Sequence, residues 1–253
     1  MEIITSSSNK IAKHVRALIS SKKARDEAGA FVVEGEKFVG EIPAGWDVEL
    51  TMVSESYAKA NGTRQDCYIA SDSVFASVSD VKQPQGVLCI VRQKEYGLDE
   101  LLVNENPLLI LLEDMQDPGN LGTVLRIAHG LGACGVVLSP SCADVYSPKA
   151  VRSSAGSVFH VPFVMADLPN AIAVLKDRGI HVFATKADAR QGLHELDFCK
   201  PSAFLVGNEA RGLSENIAAL ADCDVKIPIK AESLNASMAC GILVYEAMRQ
   251  RGL

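Results

Sequence analysis

No apolar run in this chain approaches the 18 residues of a bilayer-spanning helix, and the N-terminus, MEIITSSSNK, lacks the apolar stretch of a secretory signal. The expected location is the cytoplasm, with no membrane partner. Paired cysteines are also missing. Cys67, Cys89, Cys134, Cys142, Cys199, Cys223 and Cys240 are odd in number, scattered, and contain no C-x-x-C spacing. Neither a disulfide framework nor a zinc site is indicated, no metal is expected, and the thiols are read as free and buried. H-E-x-x-H, G-x-S-x-G and Walker patterns do not occur, nor does any internal repeat or low-complexity segment. One literal G-x-G-x-x-G is present, from Gly130 to Gly135. A dinucleotide fingerprint follows a strand and opens a helix, whereas this one closes a helix and leads into a strand. Its glycines are better explained as a helix C-cap and a tight turn.

A surplus of positive charge is absent as well, the net charge being −6. Its distribution says more than its sum. Residues 1–94 balance 12 basic against 12 acidic side chains, so the whole excess of acid lies beyond them. Within the first 25 residues Lys10, Lys13, Arg16, Lys22, Lys23 and Arg25 oppose only Glu2. Ile11, Val15 and Leu18 mark the apolar side of a first helix, which leaves the bases largely on other faces. Such a face is either simply solvated or a set of phosphate contacts, since clustered Lys and Arg supply the sequence-independent part of nucleic-acid affinity.

What is plentiful is apolar content, 48% of 253 residues against 22% charged, enough for a substantial core and typically two domains. Short apolar runs at 31–33, 50–53, 68–70 and 87–91 alternate with helix-compatible segments at 56–60 and 73–78. They predict a small α/β domain over residues 1–94. Residues 95–106 are charged and read as a linker with room for one helical turn. From Pro107 the runs become continuous: Leu108–Leu112, Val136–Leu138, Val182–Ala184, Ala203–Val206 and Val225–Ile229. With helices between them they predict a mainly parallel sheet covered on both faces, over residues 107–253.

Three blocks follow the ends of these strands. The first, Asp117-Pro118-Gly119-Asn120-Leu121-Gly122-Thr123-Val124-Leu125-Arg126, puts Asn120, Gly122 and Arg126 on the opening of a helix. A structural ion pair for Arg126 competes with a functional role. The second, Leu205-Val206-Gly207-Asn208-Glu209-Ala210-Arg211-Gly212-Leu213-Ser214, brackets polar residues between glycines where open α/β sheets bind ligands. The third runs from Asp224 through Ser233, Leu234 and Asn235 into a helix with Leu234, Met238, Ile242 and Tyr245 on one stripe. There Ser233 reads most simply as the N-cap. Each block alone is weak, but the three in order are a strong signal.

The set N-x-G-x-x-x-R, then G-N-E-x-x-G-L, then I-P-I…S-L-N-x-S resembles the SpoU-type (TrmH-like) RNA 2′-O-ribose methyltransferases over 107–251. The segment Asp144 to Gly156 is similar to the stretch after the family's first motif. N-K-I and F-V-V-E-G near the start resemble its ribosomal-protein-like RNA-binding domain.

The resemblance implies a deep trefoil knot, a homodimer, and S-adenosylmethionine held by three loops. By match these loops contain Thr185, then Leu205 and Gly207, then Ile227, Ile229 and Leu234. It further implies Arg126 at the chemistry, supported by Asn120, Glu209, Ser233 and Asn235. A guanidinium stays protonated, so Arg126 is expected to stabilise a developing alkoxide and a nearby phosphate, with Asn120 and Glu209 holding it. Arg152 is the candidate to reach the other subunit's cofactor or its RNA. The expected activity is methylation of a ribose 2′-hydroxyl in structured RNA, ribosomal or transfer. A non-catalytic RNA-binding scaffold with the same fold is the alternative.

Overall fold

The computed structural model describes residues 3–63, 66–231 and 233–252. Two compact units emerge, one of residues up to 94 together with 146–159, the other of 95–145 and 160 onward.

In the first unit the order is β1 (Ile3–Ile4), α1 (Lys10–Ser20), α2 (Lys22–Ala28), β2 (Ala30–Glu34), α3 (Glu36–Gly40), β3 (Val48–Ser54), α4 (Glu55–Asn61), β4 (Cys67–Ala70), α5 (Asp72–Val78) and β5 (Val87–Arg92). The sheet runs β1-β4-β3-β5-β2, parallel at its β1 edge and antiparallel around β5. Side chains of Asn9, Ser21, Ser54 and Ser71 accept hydrogen bonds from the first turns of α1, α2, α4 and α5, which fixes where those helices start. Val15 and Leu18 of α1 pack with Val32, Met52, Phe75 and Ile90 in the core.

The second unit holds β6 (Leu108–Leu112), α6 (Pro118–Leu131) and β7 (Gly135–Leu138). After α7 (Pro148–Ser154), which packs in the first unit, come β8 (Phe163–Met165), α8 (Leu168–Asp177), β9 (His181–Thr185) and β10 (Ser202–Val206). It ends with α9 (Glu215–Ala218), β11 (Cys223–Val225) and α10 (Ala236–Gln250). Its sheet, β11-β9-β10-β6-β7-β8, is parallel throughout. Every residue of β6, β7 and β10 is buried, as continuous apolar runs require. Gly132 ends α6 in a left-handed conformation (φ 76°), the C-cap expected of the misleading glycine motif. Among the described residues no helix is long and apolar enough to cross a membrane.

Four expectations differ from what is seen. The segment 146–159, read as part of the second domain, packs in the first unit because its aromatics find partners there. The Tyr146 ring lies 4.5 Å from that of Phe31, and Trp46 Nε1 donates to the Phe159 carbonyl at 3.1 Å. Residues 95–106 are more than a linker, since a 3-10 turn at Leu98–Leu102 buries Leu101 in the second core. The last strand of the sheet ends at Val225, short of the run read as continuing to Ile229. Only four cysteines (Cys67, Cys89, Cys142 and Cys240) are buried, while Cys199 is exposed and all seven are free. Burial pushes the Cys240 thiol up to about 12, so it is inert at neutral pH.

Candidate active site

Parallel strands end together, and the loops leaving them converge on one edge of the second unit. The loop after β9, the turn after β10, the stretch after β11 and the first turn of α10 enclose a cavity of about 920 Å³. That is the size and position of a ligand site in an open α/β sheet. Thr185, Gly207, Ile227, Ile229 and Leu234 all line it. Leu205 does not: it lies one residue inside β10, fully buried against Leu111 and Val182, and Val206 takes its place at the wall.

Gly207 is required by space rather than by an unusual φ. A Cβ there would stand 2.2 Å from the Gly212 carbonyl carbon and 2.2 Å from the Leu213 nitrogen. The turn is closed by reciprocal main-chain bonds between Asn208 and Gly212, at 3.1 and 2.9 Å. Thr185 Oγ1 is buried with no hydrogen-bond partner among the described residues. Buried hydroxyls are nearly always paired, so one left open on a cavity wall fits a polar group of a bound molecule.

Glu209 and Ser233 line the cavity, whereas Asn120, Asn235 and Arg126 do not. Glu209 reaches the opening of α6 and accepts from Gln116 N at 3.2 Å, Asp117 N at 3.1 Å and Asn120 Nδ2 at 3.1 Å. Asn235 Nδ2 donates to Asn120 Oδ1 at 3.0 Å, and Ser237 Oγ donates to Asn235 Oδ1 at 2.6 Å. Asn235, not Ser233, is the N-cap of α10, accepting from the amides of Ser237 and Met238. The network therefore joins the starts of two helices to the β10 turn. It does not hold Arg126, which is exposed on α6 and has no hydrogen bond or ion pair among the described residues. The competing explanation of Arg126 as a structural ion pair is accordingly unsupported.

Burial acts to raise the Glu209 pKa, but the hydrogen bonds from Asn120 and main-chain amides outweigh it and leave the carboxyl below its ordinary 4.5. A depressed folded-state pKa stabilises the fold fully above 4.5, and that contribution is lost as pH falls through the folded value. Glu209→Gln is thus expected to melt below wild type at pH 7, with the gap closing under acid. A gap that stays constant from pH 7 to pH 3 would refute the capping role.

Of the basic residues in the first unit, Lys10, Lys13, Lys22 and Lys23 are exposed, Lys23 in an ion pair with Glu27. Arg16 bonds Ser77 Oγ at 3.2 Å. Arg25 is buried, donating to the Leu18 carbonyl at 2.6 Å, so it staples α1 to α2 and is no phosphate contact. Arg152 pairs with Asp80 at 2.7 Å inside the first unit, so its guanidinium is already engaged.

Lys186 and Lys226, both on the cavity wall, are residues that sequence reasoning missed. Their signal was position, each next to a residue singled out by motif.

Residues 107–245 match the SpoU rRNA Methylase family and residues 9–89 the MRM3-like substrate binding domain. The chain is 33% identical to the 23S rRNA (guanosine(2553)-2′-O)-methyltransferase RlmP of Bacillus subtilis, over 97% of this chain and 98% of that one. It is 31% identical to the 23S rRNA (uridine(2479)-2′-O)-methyltransferase of Streptomyces viridochromogenes, over 93% and 88%. Among solved structures, an AdoMet-bound rRNA methyltransferase from Sinorhizobium meliloti superposes with a TM-score of 0.87 at 32% identity, covering 98% of this chain and 97% of that one. With its three motif blocks gathered at one edge of a parallel sheet, and this similarity running nearly end to end, the chain belongs to the SpoU rRNA methylase family.

Proposed function

We propose that this protein methylates a ribose 2′-hydroxyl in ribosomal RNA with S-adenosylmethionine as donor, in the cytoplasm and on a knotted α/β scaffold. The observation that carries this reading is the cavity itself. Its three loops present apolar walls at Ile227, Ile229 and Leu234, a close main-chain approach at Gly207 and an open hydroxyl at Thr185. Such walls and polar points suit a nucleoside with a short polar tail. When bound, S-adenosylmethionine supplies a methyl group on a sulfonium, already a good leaving group. The protein has to orient the 2′-oxygen and let one proton go. The Arg126 guanidinium stabilises the developing alkoxide together with an RNA phosphate, and the proton passes out through that phosphate to water. Glu209 is occupied by three N–H donors and held ionised, so its part is to fix the loop rather than to act as base.

Tritiated S-adenosylmethionine incubated with total RNA from cells lacking the protein tests this. Label should enter ribosomal RNA and survive alkaline hydrolysis in a resistant dinucleotide. RNA binding without label transfer would instead support the non-catalytic scaffold.

A homodimer completes the reading. The stripe predicted for the last helix points outward: Met238 and Tyr245 are 59% and 60% exposed and Ile242 stands beside them, while Ala239, Leu243, Val244 and Ala247 face the core. An apolar strip left bare on a helix suits a symmetric contact between copies. Sedimentation at micromolar concentration should give a dimer, and Met238→Glu with Tyr245→Glu a monomer. A wild-type monomer would count against it.

The first unit is assigned to RNA capture through Lys10, Lys13 and Lys22. Neutralising these three should flatten the log–log salt dependence of RNA binding by roughly two to three, about 0.7–0.9 per phosphate contact. Affinity for S-adenosylmethionine should not move. An unchanged slope would leave the lysines as a solvated face.

A further inference from the structure

Asp114 lies between β6 and α6 and is one of two non-glycine residues with positive φ among those described, at 54°. Left-handed backbone is disfavoured for most side chains but tolerated by Asn and Asp, so the residue type at 114 suits the kink. Its surroundings are two neighbouring loops, after β7 and after β10. The Asp114 amide donates to Ser139 Oγ at 2.9 Å, and its carboxylate accepts from Ser139 Oγ at 3.2 Å and from Ser141 Oγ. The other carboxylate oxygen faces the Arg211 guanidinium at 3.4 Å. Most telling is the carbonyl, which accepts from Asn208 Nδ2 at 2.8 Å.

Asn208 in turn builds the cavity turn, its Oδ1 accepting from Ala210 N at 3.0 Å and Arg211 N at 3.1 Å. The turn that carries Glu209 is therefore tied to this carbonyl as well as to the opening of α6, and the direction of the carbonyl is set by the left-handed kink. We infer that Asp114 is a positioning residue for the methyl-donor cavity, acting through its backbone conformation more than through its charge. The inference rests on the proposed cofactor site, but the geometry it concerns has a readout of its own.

The test is a series at one position: Asp114→Asn and Asp114→Gly, which keep left-handed backbone accessible, against Asp114→Ala, which does not. The first readout is hydrogen exchange at the Ala210 and Arg211 amides, which needs no ligand. Protection should fall at least tenfold in the alanine variant and stay within about threefold of wild type in the other two. The second is steady-state methylation. KM for S-adenosylmethionine should rise roughly 10–30-fold in the alanine variant with kcat within about threefold, and recover in the glycine and asparagine variants. A merely structural role would lower the melting temperature without raising KM in the folded fraction. Equal loss in the glycine and alanine variants would overturn the inference by placing the effect in the side chain. Should the alanine variant not fold, a glycine variant with KM raised tenfold or protection lost does the same. Wild type without methyl transfer would sink the proposed function, while the exchange series would still decide the role of Asp114.

Discussion

Replacing Arg126 by alanine is expected to reduce methylation turnover by roughly 10²–10³-fold, the usual cost of removing one preorganised charge from a developing oxyanion. The expectation is sharp because little else should change. Arg126 is exposed and, among the described residues, unpaired, so its removal strands no buried partner. Stability should stay within about 0.5 kcal/mol, as for surface positions generally. Cofactor affinity should also hold, because the side chain is not part of the cavity wall. Single-turnover kinetics with saturating RNA and donor, alongside a thermal melt, separates these terms. Arg126→Lys distinguishes charge from shape, since lysine keeps the charge but loses the planar fork. Turnover unaffected by either substitution, with both variants folded and binding the donor, would remove Arg126 from the chemistry.

Gly207→Ala is expected to weaken donor binding at least tenfold. An added methyl at 2.2 Å from two main-chain atoms has nowhere to go, and the obstacle is backbone rather than a flexible side-chain end. Either the Asn208–Gly212 turn opens or β10 shifts out of register with β6. Overpacking of this kind costs about 1–3 kcal/mol. Both routes move Glu209, and with it the opening of α6. Calorimetric titration should show at least a tenfold weaker Kd, and the melt should fall. An alanine variant that binds the donor normally would mean that the turn is more compliant than its contacts imply.

Much of this architecture is legible in the residues. Continuous apolar runs located β6, β7, β9 and β10, because a strand buried on both faces has to be apolar throughout. Motif order located the cavity, since each block had to follow a strand end. Three things were not legible, each for a physical reason. Leu205 and Val206 share a strand, and only the register on β6 tells which one faces the wall. The partner of Arg152 is Asp80, 72 residues away, a long-range pairing that no local pattern encodes. Helical periodicity grouped Leu234, Met238, Ile242 and Tyr245 on one stripe, but Leu234 precedes α10 and lines the cavity, and the pattern could not tell whether the side carrying the other three is covered by this chain or by another. The buried side carries small residues such as Ala236, Ala239 and Ala247, whose hydropathy is too modest to advertise burial.

The helices α6 and α10 run side by side in the same direction: Asn120 meets Asn235 at their starts, and Ile127 neighbours Gly241 further along. Parallel dipoles add at each end instead of cancelling, so two partial positive charges meet beside the cavity. The ionised Glu209 answers one of them at the opening of α6. At α10 the cap is the neutral Asn235, and that end is left with its field. A unit whose charge is acidic on balance therefore carries a small electropositive spot at its binding edge. Such a field acts over a few ångströms, within the screening length of about 8 Å at physiological ionic strength, so added salt weakens it far less than the lysines of the first unit. The proposed RNA capture by those lysines is therefore expected to respond to salt over a different range from the field at the cavity.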